Sequence, residues 1–173
     1  FSNEGGFNPY SIEAIRFADG TAWDFSAVKA KSLEATEGAD WLVGTAGGDT
    51  IAGLGGNDRI EGRAGNDTLD GGAGDDQLIG GDGNDTYLFG SGSGRDAILD
   101  YDATLGNIDT VRLDEDVTPE QIEVTRDQTS LYLSLNAGQD RLTLSNWFGD
   151  AAYRIERVEF GDGTVWGVDD LLA

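Results

Sequence analysis

Seven aspartates, Asp40, Asp49, Asp58, Asp67, Asp76, Asp85 and Asp96, stand at the sixth place of seven consecutive short rows. Six rows of nine residues read ATEGADWLV, GTAGGDTIA, GLGGNDRIE, GRAGNDTLD, GGAGDDQLI and GGDGNDTYL, and a seventh, GSGRDAIL, follows an insertion at Phe89 to Ser91. One carboxylate per glycine-rich loop is hard-oxygen chemistry. Loops stripped of side chains can turn their carbonyl oxygens toward a common point, and the carboxylate completes the cage. Calcium accepts roughly six to eight such ligands in tolerant geometry, whereas magnesium demands a tighter octahedron and keeps its waters. Softer metals prefer nitrogen and sulfur ligands, and the chain has no His, Cys or Met.

The elements that must position these aspartates follow from the same period. Gly fills the fourth place of every row (Gly38, Gly47, Gly56, Gly65, Gly74, Gly83, Gly94), and a large apolar residue fills the eighth (Leu42, Ile51, Ile60, Leu69, Leu78, Tyr87, Ile98). A loop followed by a short strand must reverse the chain in every row, through backbone angles that glycine adopts without strain. Two rows then make one turn of a flattened coil, and loops two rows apart stack on one edge. Asp40, Asp58, Asp76 and Asp96 fall on one edge, and Asp49, Asp67 and Asp85 on the other, giving up to about five calcium sites between neighbouring loops. Carbonyls or loop groups of Gly53, Gly55, Asn57, Gly62, Ala64, Asn66, Gly71, Ala73, Asp75, Gly80, Asp82 and Asn84 are the further candidate ligands, with Asp100 and Asp102 as caps of the terminal site. The inward apolar residues are few for the number of residues that must be ordered, and stacked carboxylates repel. The roll is therefore expected to be largely unfolded without calcium, with binding coupled to folding.

From Ile108 onward the two-residue period of strands takes over: Ile122 and Val124, then Leu131, Leu133 and Leu135, then Leu142 and Leu144. Asn136-Ala137-Gly138 reads as a hairpin loop, and Thr118-Pro119-Glu120 as an N-cap with proline opening one short helical turn. A second repeat is superimposed on the first. FSNEGGFNPYSIEAIRFADGTAW, residues 1–23, returns as LSNWFGDAAYRIERVEFGDGTVW, residues 144–166, with 11 identities, no gap and a period of 143. After the first copy, Asp24 to Lys31 reads as a short helix.

Eleven basic against 33 acidic residues leave a formal charge of -22, which repels nucleic acid and acidic membranes and attracts cations. Without Cys or His there is no disulfide scaffold, no zinc site of thiolates or imidazoles, and no Ser–His or Cys–His pair. No apolar run suits a membrane span and no signal peptide opens the chain, which reads as a soluble segment of something longer. Tyr10, Trp23, Trp147, Phe148, Tyr153 and Trp166 are expected chiefly to pack, with a sugar-stacking platform as the alternative. Glu13, Glu156 and Glu159 suggest a glycosidase pair, but alternation with Ile12, Ile155, Val158 and Phe160 places at least some of them on solvated strand faces. Asp114-Glu115-Asp116 and Asp169-Asp170 read as solvated turn or helix-start charges, and Lys29 and Lys31, the only lysines, offer no anion patch.

The rows resemble the repeats-in-toxin (RTX) family, whose consensus GGxGxDxUx is matched best by GGAGDDQLI and GGDGNDTYL. LSNWF with RIERVEFGDGTVW is similar to the domain that often follows such repeats, known as related to haemolysin-type calcium-binding proteins. The resemblance implies an all-β fold, a parallel β-roll with a β-rich C-terminal capping domain. It also implies calcium held by the sixth-place aspartates and backbone carbonyls, and type I secretion of a chain that stays unfolded in the low-calcium cell and folds outside. The expected division is residues 1–34 as the tail of a preceding unit or a flank, 35–102 as the roll and 103–173 as the cap. Two readings of the long repeat stand side by side: a window cut from a tandem array, or equivalent pieces flanking one module. Function is expected to be that of a non-enzymatic calcium-binding structural or export-assisting module of a secreted multidomain bacterial protein, extracellular or at the cell surface. Its partners would be calcium and neighbouring repeat units of the same chain. The alternative is a calcium-dependent module binding a glycan or surface polymer.

Overall fold

The computed structural model describes residues 14–24, 27 and 34–173. Tyr10, Glu13 and most of the helix expected over Asp24 to Lys31 lie outside them. The chain divides into two units, Phe1–Glu34 and Ala35–Ala173.

In the second unit each row contributes one strand: β3 (Trp41–Val43), β4 (Thr50–Ala52), β5 (Arg59–Ala64), β6 (Thr68–Asp70), β7 (Gln77–Asp82), β8 (Thr86–Phe89) and β9 (Arg95–Ile98). Odd and even rows go to opposite sheets. β3, β5, β7 and β9 pair in parallel, with Leu42 opposite Ile60 and Ile60 opposite Leu78, while β4, β6 and β8 pair in parallel with Ile51, Leu69 and Tyr87 in line. In a strand this short only the middle side chain points inward. The eighth-place residues Leu42, Ile51, Ile60, Leu69, Leu78, Tyr87 and Ile98 are accordingly all buried and form the core between the sheets.

The strands after the rows extend the same two sheets. β10 (Thr110–Leu113) pairs in parallel with β8, β14 (Arg157–Glu159) in parallel with β10, and β15 (Val165–Gly167) closes that sheet as an antiparallel edge. On the other side β13 (Asp140–Leu144) pairs in parallel with β9, followed by antiparallel β12 (Leu131–Leu135) and β11 (Glu123–Arg126). The core continues through Val111, Val158, Leu131, Leu133, Leu135, Leu142 and Leu144. The segment with Pro119 forms a 3-10 turn, Pro119–Gln121, in which the Gln121 side chain accepts from the Thr118 N–H at 2.7 Å. Asn136–Gly138 connects β12 and β13 with all three residues at positive φ. Asp169 and Asp170 open the terminal helix α1 (Val168–Leu172), where Asp170 accepts the Gly167 N–H. Among the described residues no helix is long and apolar enough to cross a membrane.

The first unit contains a hairpin of β1 (Ala14–Arg16) and β2 (Ala22–Asp24). Its register, Ile15 opposite Trp23, is that of β14 and β15, Val158 opposite Trp166, displaced by the sequence period. The turns match too: Asp19 accepts the Thr21 N–H at 2.9 Å, and Asp162 accepts the Thr164 N–H at 2.8 Å. Phe17 meets Trp23 edge-on at 4.8 Å, as Phe160 meets Trp166 at 4.6 Å. The long repeat is thus a structural one. Val158 is fully buried because β14 adds to β10, whereas Ile15 is 39% exposed.

Backbone strain marks where the rows depart from glycine. The second place is left-handed in Gly72 (φ 85°) and Gly81 (φ 106°), and it remains so in Leu54 (φ 73°) and Arg63 (φ 85°). The loop dictates the angle there, and a side chain in it carries a cost of order 1 kcal/mol.

Candidate metal centre

The aspartates are placed by the strand that follows each of them. Since β-pairing joins rows two apart, each sixth-place carboxylate lies beside the backbone of the same place in the preceding loop of its edge. Oδ1 of Asp58, Asp67, Asp76, Asp85 and Asp96 accepts the backbone N–H of Asp40 (2.8 Å), Asp49 (2.7 Å), Asp58 (2.7 Å), Asp67 (2.8 Å) and Asp76 (3.0 Å) respectively. One oxygen of each carboxylate thereby stitches the coil. The other has no such partner: Oδ2 of Asp58, Asp67, Asp76 and Asp85 is buried without a hydrogen bond.

The orphaned oxygens of Asp58 and Asp67 face a small space framed by carbonyls. A methyl group built on Gly53 would meet both Asp58 Oδ2 and the Gly71 carbonyl, and one on Gly62 would meet Asp67 Oδ2 and the Gly80 carbonyl. One on Gly44 would lie 2.6 Å from the Gly62 carbonyl and 3.0 Å from Asp49 Oδ2. Acceptor set against acceptor, with water excluded, is unfavourable unless a proton or a cation lies between. The donors are all hard oxygens, so the space fits calcium.

Electrostatics agree. Burial pushes the Asp85 carboxyl up to about 7 and Asp96 up to about 8, opposed by their backbone hydrogen bonds and reinforced by neighbouring carboxylates. Asp67 and Asp76 are raised for the same reasons in the same order. The outer rows are closed differently. The Thr36 and Thr45 N–H and hydroxyl groups donate to Oδ2 of Asp40 and Asp49, at 2.6 to 2.9 Å, occupying the oxygens that the inner rows leave open.

Of the other candidates, first-place Gly71 and Gly80 present carbonyls to the open oxygens of Asp58 and Asp67, and Gly62 presents its own near the Thr45-capped Asp49, while Gly53, Gly62 and Gly71 leave the space by lacking a side chain. The third-place carbonyls of Ala73 and Asp82 accept the Gly56 and Gly65 N–H groups, and Gly55 bridges in parallel to Ala73. Ala64 donates its N–H to the Thr45 carbonyl. Fifth-place side chains form a second, outer ladder: Asn57 accepts from Asp75, Asn66 from Asn84, Asp75 from Arg95 and Asn84 from Ile108, all through backbone N–H groups. Asp102 accepts the Gly83 and Thr104 N–H groups, and Asp100 accepts the Gly81 N–H.

Two acids missed in the sequence prolong one ladder beyond the rows. Asp109 Oδ1 accepts the Asp85 N–H at 2.8 Å, and Glu156 Oε2 accepts the Asp109 N–H at 3.0 Å. The signal was present: Asp109-Thr-Val-Arg-Leu113 and Glu156-Arg-Val-Glu-Phe160 repeat the acid, spacer, apolar order of Asp85-Thr-Tyr-Leu-Phe89, without the glycines that made the rows conspicuous. Glu156 thus leaves the solvated-face group, whereas Glu159 pairs at the surface with Arg112 and Arg157. On the other edge the ladder stops at Asp96, because β13 places apolar Leu142 opposite it.

Gly53→Ala is expected to remove calcium from its space by filling it, lowering the bound-ion count by one or two in native mass spectrometry. Gly47→Ala, whose methyl would meet nothing within 4 Å, is expected to leave the count unchanged.

Comparison with known proteins bears on this geometry. The family model described as RTX calcium-binding nonapeptide repeat (4 copies) matches residues 34–69 and 61–96. That of the haemolysin-type calcium binding protein related domain matches residues 1–27 and 131–170, taking in both copies of the long repeat. Iron-regulated protein FrpA of Neisseria meningitidis serogroup C is 37% identical over 80 residues, covering 44% of this chain and 7% of that protein. The solution structure of the AlgE6R3 subunit of the Azotobacter vinelandii mannuronan C5-epimerase superposes with a TM-score of 0.48 and 31% identity, over 71% of this chain and 77% of that one.

Proposed function

We propose that this chain, whose residues 34–96 are calcium-binding RTX nonapeptide repeats, is a structural module of a secreted multidomain protein that folds when calcium binds it outside the cell. The observation that carries this reading is the row of buried, unpartnered Oδ2 atoms of the inner loops, those of Asp58 and Asp67 sharing their space with backbone carbonyls. A calcium-free roll bears that conflict at Asp58 and Asp67 and buries further unpartnered carboxylate oxygens at Asp76 and Asp85, and a low-calcium interior would keep the chain open for type I export. Residues 1–34 are the tail of a preceding unit, 35–102 the roll and 103–173 its cap, which makes the chain a window on a tandem array. The matched register of the two hairpins supports this.

The alternative of a glycan platform is weakened by its aromatics. Trp147 is buried and donates its indole N–H to the Ile155 carbonyl at 3.1 Å, and the half-buried Trp166 packs on Phe160. The Trp147 ring is not free to stack on a sugar.

The test is far-ultraviolet circular dichroism of chelator-stripped protein titrated with calcium, with magnesium as control. A cooperative gain of β signal is expected in the roughly 0.1 to 1 mM range of extracellular modules, with no comparable gain from magnesium. A chain already folded in chelator at neutral pH and indifferent to calcium would overturn the proposal.

A further inference from the structure

We infer that the seam between the last repeats and the following strands holds a further divalent-cation site, chemically distinct from the interloop sites, formed by Asp85, Asp100 and Asp109. The inference rests on the calcium-binding reading of the roll; it shares Asp85 with the sixth row and adds Asp100 and Asp109 from outside the nonapeptide rows. Asp85 stands at the sixth place of the sixth row, Asp100 follows β9 and Asp109 precedes β10, yet one carboxylate oxygen of each lies within 4.8 Å of the others. All three side chains are buried, at 1%, 2% and 2% exposure.

Proximity of acids alone would mean little. Here Oδ2 of both Asp85 and Asp100 is buried without a hydrogen-bond partner, while the remaining oxygens are held in place. Asp85 Oδ1 accepts the Asp67 N–H, Asp100 Oδ1 the Gly81 N–H, and Asp109 Oδ1 the Asp85 N–H, and Asp109 Oδ2 takes only a long bond of 3.3 Å from Asn107. A methyl group on Gly80 would meet Asp85 Oδ2 and the Tyr87 hydroxyl, so the glycine keeps the space open. That hydroxyl accepts the Gly80 N–H at 2.8 Å and lies against Asp100. The charged neighbours that act on the trio, Asp67, Asp102 and Glu156, are all acidic. Apart from the Tyr87 hydroxyl against Asp100 and the long Asn107 contact to Asp109, three converging carboxylates in a dry pocket have no resting partner other than protons or a hard cation.

An interloop site draws on fewer charges and more carbonyls, so the seam site is the tighter one. Because its ligands come from the loop before β8, the segment after β9 and the residue before β10, filling it fastens the last turn of the roll to the strands beyond. It is the site that calcium fills first.

Native mass spectrometry with calcium, on the full chain, compares the parent with Asp100→Asn and Asp58→Asn. Asp100→Asn keeps an acceptor for the Gly81 N–H but loses the charge; it is expected to bind one ion fewer and to weaken the first binding step at least tenfold. Asp58→Asn is expected to reduce the later steps only. A second measurement stands if Asp100→Asn does not fold: the first equivalent of terbium added to the parent is expected to luminesce through tyrosine excitation, and Tyr87→Phe to remove most of that emission. An unchanged first step in Asp100→Asn, or first-equivalent emission unaffected by Tyr87→Phe, would overturn the seam site while leaving the roll intact. A parent that binds no calcium would instead overturn the reading of the roll.

Discussion

In the absence of calcium, acid is expected to fold the roll. The buried carboxyls of Asp85, Asp96 and Asp109 lie at about 7, 8 and 8, against an ordinary value of 3.8, and those of Asp67, Asp76 and Asp100 are raised in the same direction, in each case first by burial. A group raised in the folded state binds its proton more tightly there than in the unfolded chain. Its contribution to the folded state is therefore complete below the unfolded value near 3.8 and is lost as pH climbs through the folded value of 7 to 8. Displacing one carboxyl as far as Asp85 disfavours the ionised calcium-free fold by on the order of 4 kcal/mol. Several such groups exceed what a domain of this size can spare. In chelator, β signal is expected to be lowest near pH 8 and to grow as pH falls toward about 4, protons taking the place of calcium between acceptor oxygens. At about pH 5, where protons hold the calcium-free chain folded, calcium binding is expected to release them, visible in calorimetry as a binding enthalpy that depends on the ionisation enthalpy of the buffer. A calcium-free chain most ordered at pH 8, or binding without proton release, would contradict this account.

How much of this could be read from the residues depends on which signals repeat. Asp67 and its counterparts sit in rows where glycine, acid and apolar residue recur together, so the edge each belongs to follows from the period alone. Asp109 and Glu156 perform the same stitching, but the loops before them, Tyr101 to Ile108 and Asn146 to Ile155, differ from the rows in length and composition. Parallel pairing with β8 and then β10 brings these acids into the ladder, and pairing across an irregular loop leaves no local trace. Asp100 is similar: its nearness to Asp85 depends on how the segment after β9 folds back over Gly81. The fifth-place side chains illustrate the opposite case. Asn57, Asn66, Asp75 and Asn84 have ligand chemistry and ligand spacing, and one oxygen of each also accepts a backbone N–H group of the next loop. Residue type does not distinguish an oxygen that binds an ion from one that binds an amide. The surrounding donors do.

That distinction predicts a crossover at Asp67. Its Oδ1 accepts the Asp49 N–H at 2.7 Å, while its Oδ2 is buried, unpartnered and shares a small space with the Gly80 carbonyl. Asp67→Asn keeps an oxygen for the amide and places an NH2 group where the second oxygen faced a carbonyl. In chelator at pH 8 the change removes a buried charge and supplies a donor, so the variant is expected to be more stable than the parent by about 1 to 3 kcal/mol. In saturating calcium it lacks a ligand and is expected to be the less stable of the two, with at least one ion fewer bound. Asp67→Ala removes the charge as well, but it leaves the Asp49 N–H without its acceptor and opens a void, so little or none of the gain in chelator is expected. Residual β signal in chelator and denaturant unfolding in calcium, compared across the three proteins, separate the contributions. If Asn and Ala behaved alike in chelator, Oδ1 would not be serving the coil. If Asn were no less stable than the parent in calcium, Oδ2 would not be serving the ion.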